Sequence, residues 1–158
     1  MKIELIKIKF NDTYAYKYKP FKYCCEAIQN NKNIIFTGED LVYDEMFGLD
    51  TSDYDESVIP QFCTSYTETF NSYEDEFENI YNYPIQFCPH CSEKIEIEVV
   101  DEIDVSEEYN QLSKQRDELW KKCQKTDSKK KENELREQVR DLDDRINGLY
   151  TLSEWSGE

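Results

Sequence analysis

Apolar and polar positions alternate through the first ten residues. Ile3 and Leu5 hold one phase, and Ile6, Ile8 and Phe10 hold the other. Alternation at a period of two predicts a strand, and the single slip between Leu5 and Ile6 predicts a β-bulge. Asn11, Asp12 and Thr13 are turn-formers. Tyr14, Tyr16 and Tyr18 then share a face, so the N terminus predicts a β-hairpin ended by Pro20. Residues 23–33 (YCCEAIQNNKN) predict a short helix or turn, and residues 34–36 (IIF) a brief buried strand. Residues 39–57 are acidic and irregular, a loop or a helical turn around 41–47. Residues 58–70 alternate and are rich in Thr and aromatics, which predicts a strand. After a turn at Asn71 and Ser72, the spacing of Tyr73, Phe77, Ile80 and Tyr81 fits either a short helix or a strand. Residues 85–87 predict a strand into the pair Cys88 and Cys91. Residues 94–100 predict a strand out of it, with Ile95, Ile97 and Val99 on one face.

The period changes after Asp101. Tyr109, Leu112, Arg116, Leu119 and Cys123 recur at alternating spacings of three and four. The polar tract QKTDSKKK interrupts, and Leu135, Val139, Leu142, Ile146 and Leu149 resume the pattern. Two heptad-patterned helices with a short polar loop predict an antiparallel, coiled-coil-like hairpin, each arm about 30 Å long. Ser106, followed by Glu107 and Glu108, suits the first N-terminus, and Asp127 or Ser128 the second. Gly148 offers one end for the second helix, before Leu152 and Trp155, and the pattern leaves the exact end open. The fold class is therefore α+β: a mainly antiparallel β domain over residues 1–100, then a helical hairpin over 101–158. The hairpin's seam also offers a contact for a homodimer.

Charge adds a second pattern. The net charge is −16, and residues 33–93 hold no Lys or Arg but fourteen Asp and Glu. That balance disfavours direct nucleic-acid binding and favours a partner with a basic surface, although acidity of this kind also serves solubility alone. The first ten residues lack the continuous apolar core of a signal peptide, and no run reaches the roughly 20 apolar residues of a membrane span. The expected location is the cytoplasm, without membrane attachment. In that reducing setting six cysteines point to metal binding or buried thiols rather than disulfides.

Cys-Pro-His-Cys at 88–91 has the spacing of two chemistries. In thioredoxin-like thiol oxidants such a motif opens a helix that lowers the first thiol's pKa. Here strand-patterned residues follow it, so a zinc knuckle is the better reading. A structural zinc needs four ligands. Cys123 lies on the hairpin seam and Cys63 within a strand pattern, and both are explained by packing. The vicinal pair Cys24 and Cys25 converges only in a turn or at a helix start. Either Cys24, Cys25, Cys88 and Cys91 form an all-cysteine site, or Cys63 or His90 replaces one of the vicinal pair.

This layout of an early CC within YCCEAI and a late FCPHC knuckle resembles small zinc-ribbon-like proteins of bacteriophages and prophages of Gram-positive bacteria. The likeness covers roughly residues 20–97 and departs at Ser92, where such knuckles place Gly. It implies a zinc-stabilised scaffold and supplies no activity. No Gly-rich phosphate loop or nucleophile motif is present. The expectation is a non-enzymatic interaction module of a mobile element that inhibits a host defence or nucleic-acid-binding protein, with mimicry of a nucleic acid as one route. Tyr54, Tyr66, Tyr73, Tyr81 and Tyr83 lie among the carboxylates as candidate hot spots. The rivals are a thiol redox or metal-dependent enzyme, and a nucleic-acid binder that uses Lys2, Lys7, Lys9, Lys17 and Lys19.

Overall fold

The computed structural model describes residues 1–38, 42–44, 59–71, 76–126 and 128–156. Tyr54, Tyr73, Asp127 and most of the acidic stretch around 41–57 lie outside the described residues. The fold is α+β, with two β-sheets followed by two helices that pack together.

The first sheet has the order β2-β1-β7. Strand β1 (Lys2–Phe10) pairs antiparallel with β2 (Thr13–Tyr18), as the N-terminal pattern predicts. Asn11 takes a positive φ of 55° in the intervening turn, which Asn tolerates better than most residues. Strand β7 (Glu96–Asp104) pairs with β1 in parallel, while the other strand pairings are antiparallel.

The phase slip at Leu5 and Ile6 has a clear cause. Pairing of β1 with β2 runs through it without interruption. The register shift falls instead between β1 and β7, where Leu5 faces Val99 and Ile6 faces Asp101, leaving Val100 as the extra residue. Both Leu5 and Ile6 are buried because β1 is covered on both faces. Ile3 and Leu5 join a core with Tyr16, Ile28, Ile34, Phe62, Cys88 and Ile95. Phe10, on the opposite face, packs its ring on Tyr109 and Tyr150 of the helices, at 5.4 and 5.5 Å.

The second sheet has the order β3-β5-β6-β4 and is antiparallel. Strands β5 (Gln61–Asn71) and β6 (Glu76–Pro84) form a long ribbon, with β3 (Ile34–Thr37) and β4 (Val42–Asp44) on its flanks. The helix-or-strand ambiguity at 73–81 is thus resolved as strand from Glu76 onward. Residues 42–44 are strand where the sequence reads as loop or helical turn. The predicted strand at 85–87 is reduced to a single bridge, Phe87 to Lys94.

Helix α1 (Glu26–Asn30) is short. Helices α2 (Ser106–Gln124) and α3 (Lys129–Tyr150) pack Leu112, Leu142 and Ile146 together, flanked by Tyr109, Leu119 and Leu149. Ser106 is not the capping residue of α2. Val105 holds the N-cap position; Asp104 Oδ1, one residue earlier, accepts from the Ser106 N–H at 2.9 Å, while Ser106 Oγ accepts from the Asn11 N–H at 2.8 Å. Helix α3 runs through Gly148 to Tyr150, and near its end the Gly148 carbonyl accepts from the buried Lys17 Nζ at 2.7 Å. The chain then returns to β2, where Tyr18 donates to Ser153 O and Trp155 donates to Tyr18 O. No helix among the described residues is long and apolar enough to cross a membrane.

Candidate metal centre

The chain passes between the two sheets twice. The first crossing, residues 19–33, leads from β2 to β3 and carries Cys24 and Cys25. The second, residues 85–95, leads from β6 to β7 and carries Cys88 and Cys91. Each crossing is shaped locally. Phe21 and Tyr23 pack against Phe62, with Phe21 also against Phe36, which fastens the vicinal cysteines beside the second sheet. Cys25 then occupies the N-cap of α1 with extended backbone, φ −158° and ψ 159°. This kink at a helix start turns two adjacent side chains toward one point, which a continuous strand does not do.

The second crossing is a tight knuckle. The Cys88 N–H donates to Glu93 O at 2.8 Å, the Ser92 N–H to Cys88 O at 2.9 Å, and the Ile95 N–H to Gln86 O at 2.9 Å. Ser92 takes a φ of 61°, the left-handed region that favours Gly. The sequence departure noted at Ser92 therefore falls on the residue that bends the knuckle. No helix follows Cys91; residues 89–91 form a turn and β7 begins at Glu96. The arrangement lacks the helix start that activates a dithiol redox motif.

The four sulfurs of Cys24, Cys25, Cys88 and Cys91 lie within 4.8 Å of one another. Cys25 Sγ and Cys88 Sγ are 3.7 Å apart. Four sulfurs at about 2.3 Å from a tetrahedral zinc stand about 3.8 Å from each other. The group could therefore hold a metal ion with little adjustment. Cys88 is buried, Cys24 and Cys25 half-buried and Cys91 exposed, so an ion has a route from solvent past Cys91.

The electrostatics agree with that chemistry. Burial, then the neighbouring Cys91 and Cys88, push the Cys24 thiol up to about 12. Burial also opposes ionisation of Cys88, but the backbone N–H groups of Cys91 and His90, with the Cys91 and Cys24 thiols, draw it down to about 7. The Cys88 thiolate is thus stabilised by amides, while burial and crowding hold Cys24 protonated. A divalent cation at the centre would remove that repulsion and release the remaining protons.

The other candidates stand elsewhere. Cys63 is fully buried in β5, where burial pushes its thiol up, and its Sγ is 3.9 Å from Gln61 O. Cys123 is buried near the hairpin tip, with Sγ 3.9 Å from Glu132 O. His90 is exposed, and its Nε2 lies 3.2 Å from Asn31 Nδ2 at the end of α1. This contact joins the two crossings outside the sulfur cluster. Sequence reasoning does not reach Asn31, whose only signal is a turn-prone run of asparagines.

The basic residues of the N-terminal hairpin are also accounted for. Lys2 pairs with Glu4 and Glu98, Lys7 with Glu102, Lys9 with Asp104 and Lys19 with Glu4. Lys17 is buried against the end of α3. Compared with family models, curated proteins and solved structures, the chain matches none.

Proposed function

We propose that this chain is a non-enzymatic, zinc-stabilised acidic interaction module, encoded by a mobile element, that binds a basic surface of a host protein. The observation that carries the scaffold half is the cluster of four sulfurs on the two crossings. Four protein ligands leave a zinc no open position for water or substrate, which favours a structural over a catalytic role. Bound there, zinc would pin both crossings and hold the two sheets together.

The partner half rests on charge. The net charge is −16. Lys2, Lys7, Lys9 and Lys19 are each engaged by acids of the same chain, which leaves them poorly placed to neutralise phosphates. A nucleic-acid-binding host protein is the natural target, with the acidic surface standing in for a duplex. The hairpin seam is closed by α2 against α3 within the chain, so the reading uses no homodimer.

The test is competition. Bacterial proteins held on immobilised duplex DNA are challenged with the zinc-loaded protein at physiological salt. Release of bound proteins, with the module recovered in complex with them, supports the reading. Retention of the module itself on the DNA, with steep salt dependence, would overturn it in favour of direct nucleic-acid binding.

A further inference from the structure

Strands β5 and β6 carry three stacked tyrosines on one face. Tyr66 and Tyr81 are a cross-strand pair, with ring centroids 4.9 Å apart and planes at 18°. Tyr66 and the diagonal Tyr83 are 5.9 Å apart with planes at 5°. Tyr66 is the middle rung. Tyr66 is 49% exposed and Tyr83 53% exposed. Large aromatics are the side chains a sheet most readily buries, and a nearly parallel stack with two half-exposed rings is unusual on a protein surface. Tyr83 stacks on Tyr66 and keeps about half of its surface exposed, which leaves ring surface for another planar group.

The chemistry around the ladder selects that group. Glu68 follows Tyr66 on the same face of β5 and is exposed. No Lys or Arg occurs from residue 33 to 93, so nothing beside the rings on their own strands neutralises a phosphate. A nucleobase would stack equally well on tyrosine, but its backbone would be repelled. A guanidinium is planar, stacks on an aromatic face and is attracted by carboxylates. A hydrogen bond with the Tyr83 side chain, and burial after it, push the Tyr66 hydroxyl up to about 12.

We infer that the Tyr81–Tyr66–Tyr83 ladder is a docking face for an arginine-bearing segment of a partner protein, with a guanidinium stacking on Tyr83 as the next rung and Glu68 supplying charge. The inference rests on the proposed reading of a basic partner and locates its contact on the β5–β6 ribbon. It predicts a preference for arginine over lysine, which bulk charge does not give.

The test uses octa-arginine and octa-lysine peptides titrated into the zinc-loaded full chain, followed by tyrosine fluorescence and calorimetry. At about 0.5 M salt, where charge attraction between exposed groups is largely screened, octa-arginine should bind more tightly than octa-lysine. Tyr83→Ala should weaken octa-arginine about fivefold, and Tyr83→Phe should keep the wild-type affinity. Zinc content and circular dichroism of each variant confirm that the fold is intact. Equal affinities for the two peptides, or an unchanged affinity in Tyr83→Ala, would overturn the ladder as the docking face while leaving low-salt binding to basic partners in place. Loss of binding to both peptides even at low salt would sink the basic-partner reading itself, and the ladder with it. Tighter binding of an oligothymidylate than of octa-arginine would reassign the face to single-stranded nucleic acid.

Discussion

Cys25 Sγ lies 3.7 Å from Cys88 Sγ, although 63 residues separate them in the chain. Each belongs to a different crossing between the two sheets, so this contact is where the crossings meet. A cross-link at this point restrains both sheets at once. Hydrophobic contacts already join them through Ile28, Ile34, Phe62 and Ile95. A metal would add a bond network of far greater strength than any one of those contacts.

Zinc occupancy is therefore the first prediction. Protein purified without chelator should show one zinc per chain by native mass spectrometry, and Cys88→Ser should lose it. Metal binding contributes about 10–16 kcal/mol in small zinc domains, which matches or exceeds the whole stability of a typical domain. Cys88→Ser should therefore lose the cooperative thermal transition of the β part. Cys123→Ser should keep its zinc, since its sulfur stands at the far tip of the hairpin. A metal-free wild type about two daltons light would instead reveal a disulfide.

Ser92 gives a prediction of opposite sign. Its φ of 61° places a side chain in the left-handed region, which costs an L-residue about 1–2 kcal/mol. Glycine escapes that cost but loses about 0.5–1 kcal/mol more on ordering the chain. Ser92→Gly should stabilise the protein by roughly 0.5–1 kcal/mol with zinc unchanged. Ser92→Val should destabilise it by more than 1 kcal/mol, since a β-branched residue is a genuine outlier there. Urea denaturation of the three zinc-loaded proteins measures both effects.

The elements were legible wherever a single period ran long enough. The heptads at 109–123 and 135–149 gave both helices, and the alternation at 2–10 and 13–18 gave the hairpin. Where a strand is covered on both faces, as at Leu5 and Ile6, alternation is lost, and only the pairing partner shows where the irregularity sits. The end of α3, left open by the sequence at Gly148, falls at Tyr150, where a distant residue, Lys17, takes the Gly148 carbonyl. The grouping of Cys24, Cys25, Cys88 and Cys91 in one cluster was one of two alternatives in the sequence. What the sequence did not contain was the topology, which sets both pairs on neighbouring crossings and His90 against Asn31. Pairings across more than sixty residues leave no local trace.

The helical hairpin should behave independently of the metal. Ile146 is buried in the α2–α3 contact with Leu112 and Leu142. Ile146→Ala removes buried methyl groups that the neighbouring helix cannot follow, and should cost about 2–4 kcal/mol. Zinc stoichiometry should stay at the wild-type value in that variant. Loss of zinc on Ile146→Ala would show instead that hairpin and metal centre fold as one unit.

Lys17 links the first sheet to the end of α3, and its charge gives the pH prediction. Its Nζ donates to Gly148 O at 2.7 Å and to Ser153 Oγ at 2.9 Å, with only 9% of the residue exposed. Lys17→Met leaves those acceptors without their donor and should cost about 1 kcal/mol at neutral pH. Burial also lowers the Lys17 pKa below the ordinary lysine value. The unfolded chain then holds this proton more tightly than the folded protein does. Between the lowered folded value and the unfolded value of about 10.4, the unfolded state binds more protons, so stability rises with pH. The cost of burying the ammonium is fully present below the folded pKa and is relieved as pH rises toward the unfolded one. Lys17→Met has no such group, and other titrations cancel in the comparison. Its deficit relative to wild type should therefore widen as the pH is raised from about 8 to about 10. Guanidinium denaturation of both zinc-loaded proteins across that range measures it. A deficit that stays constant would mean that the helix-end carbonyls hold the proton as firmly as water does.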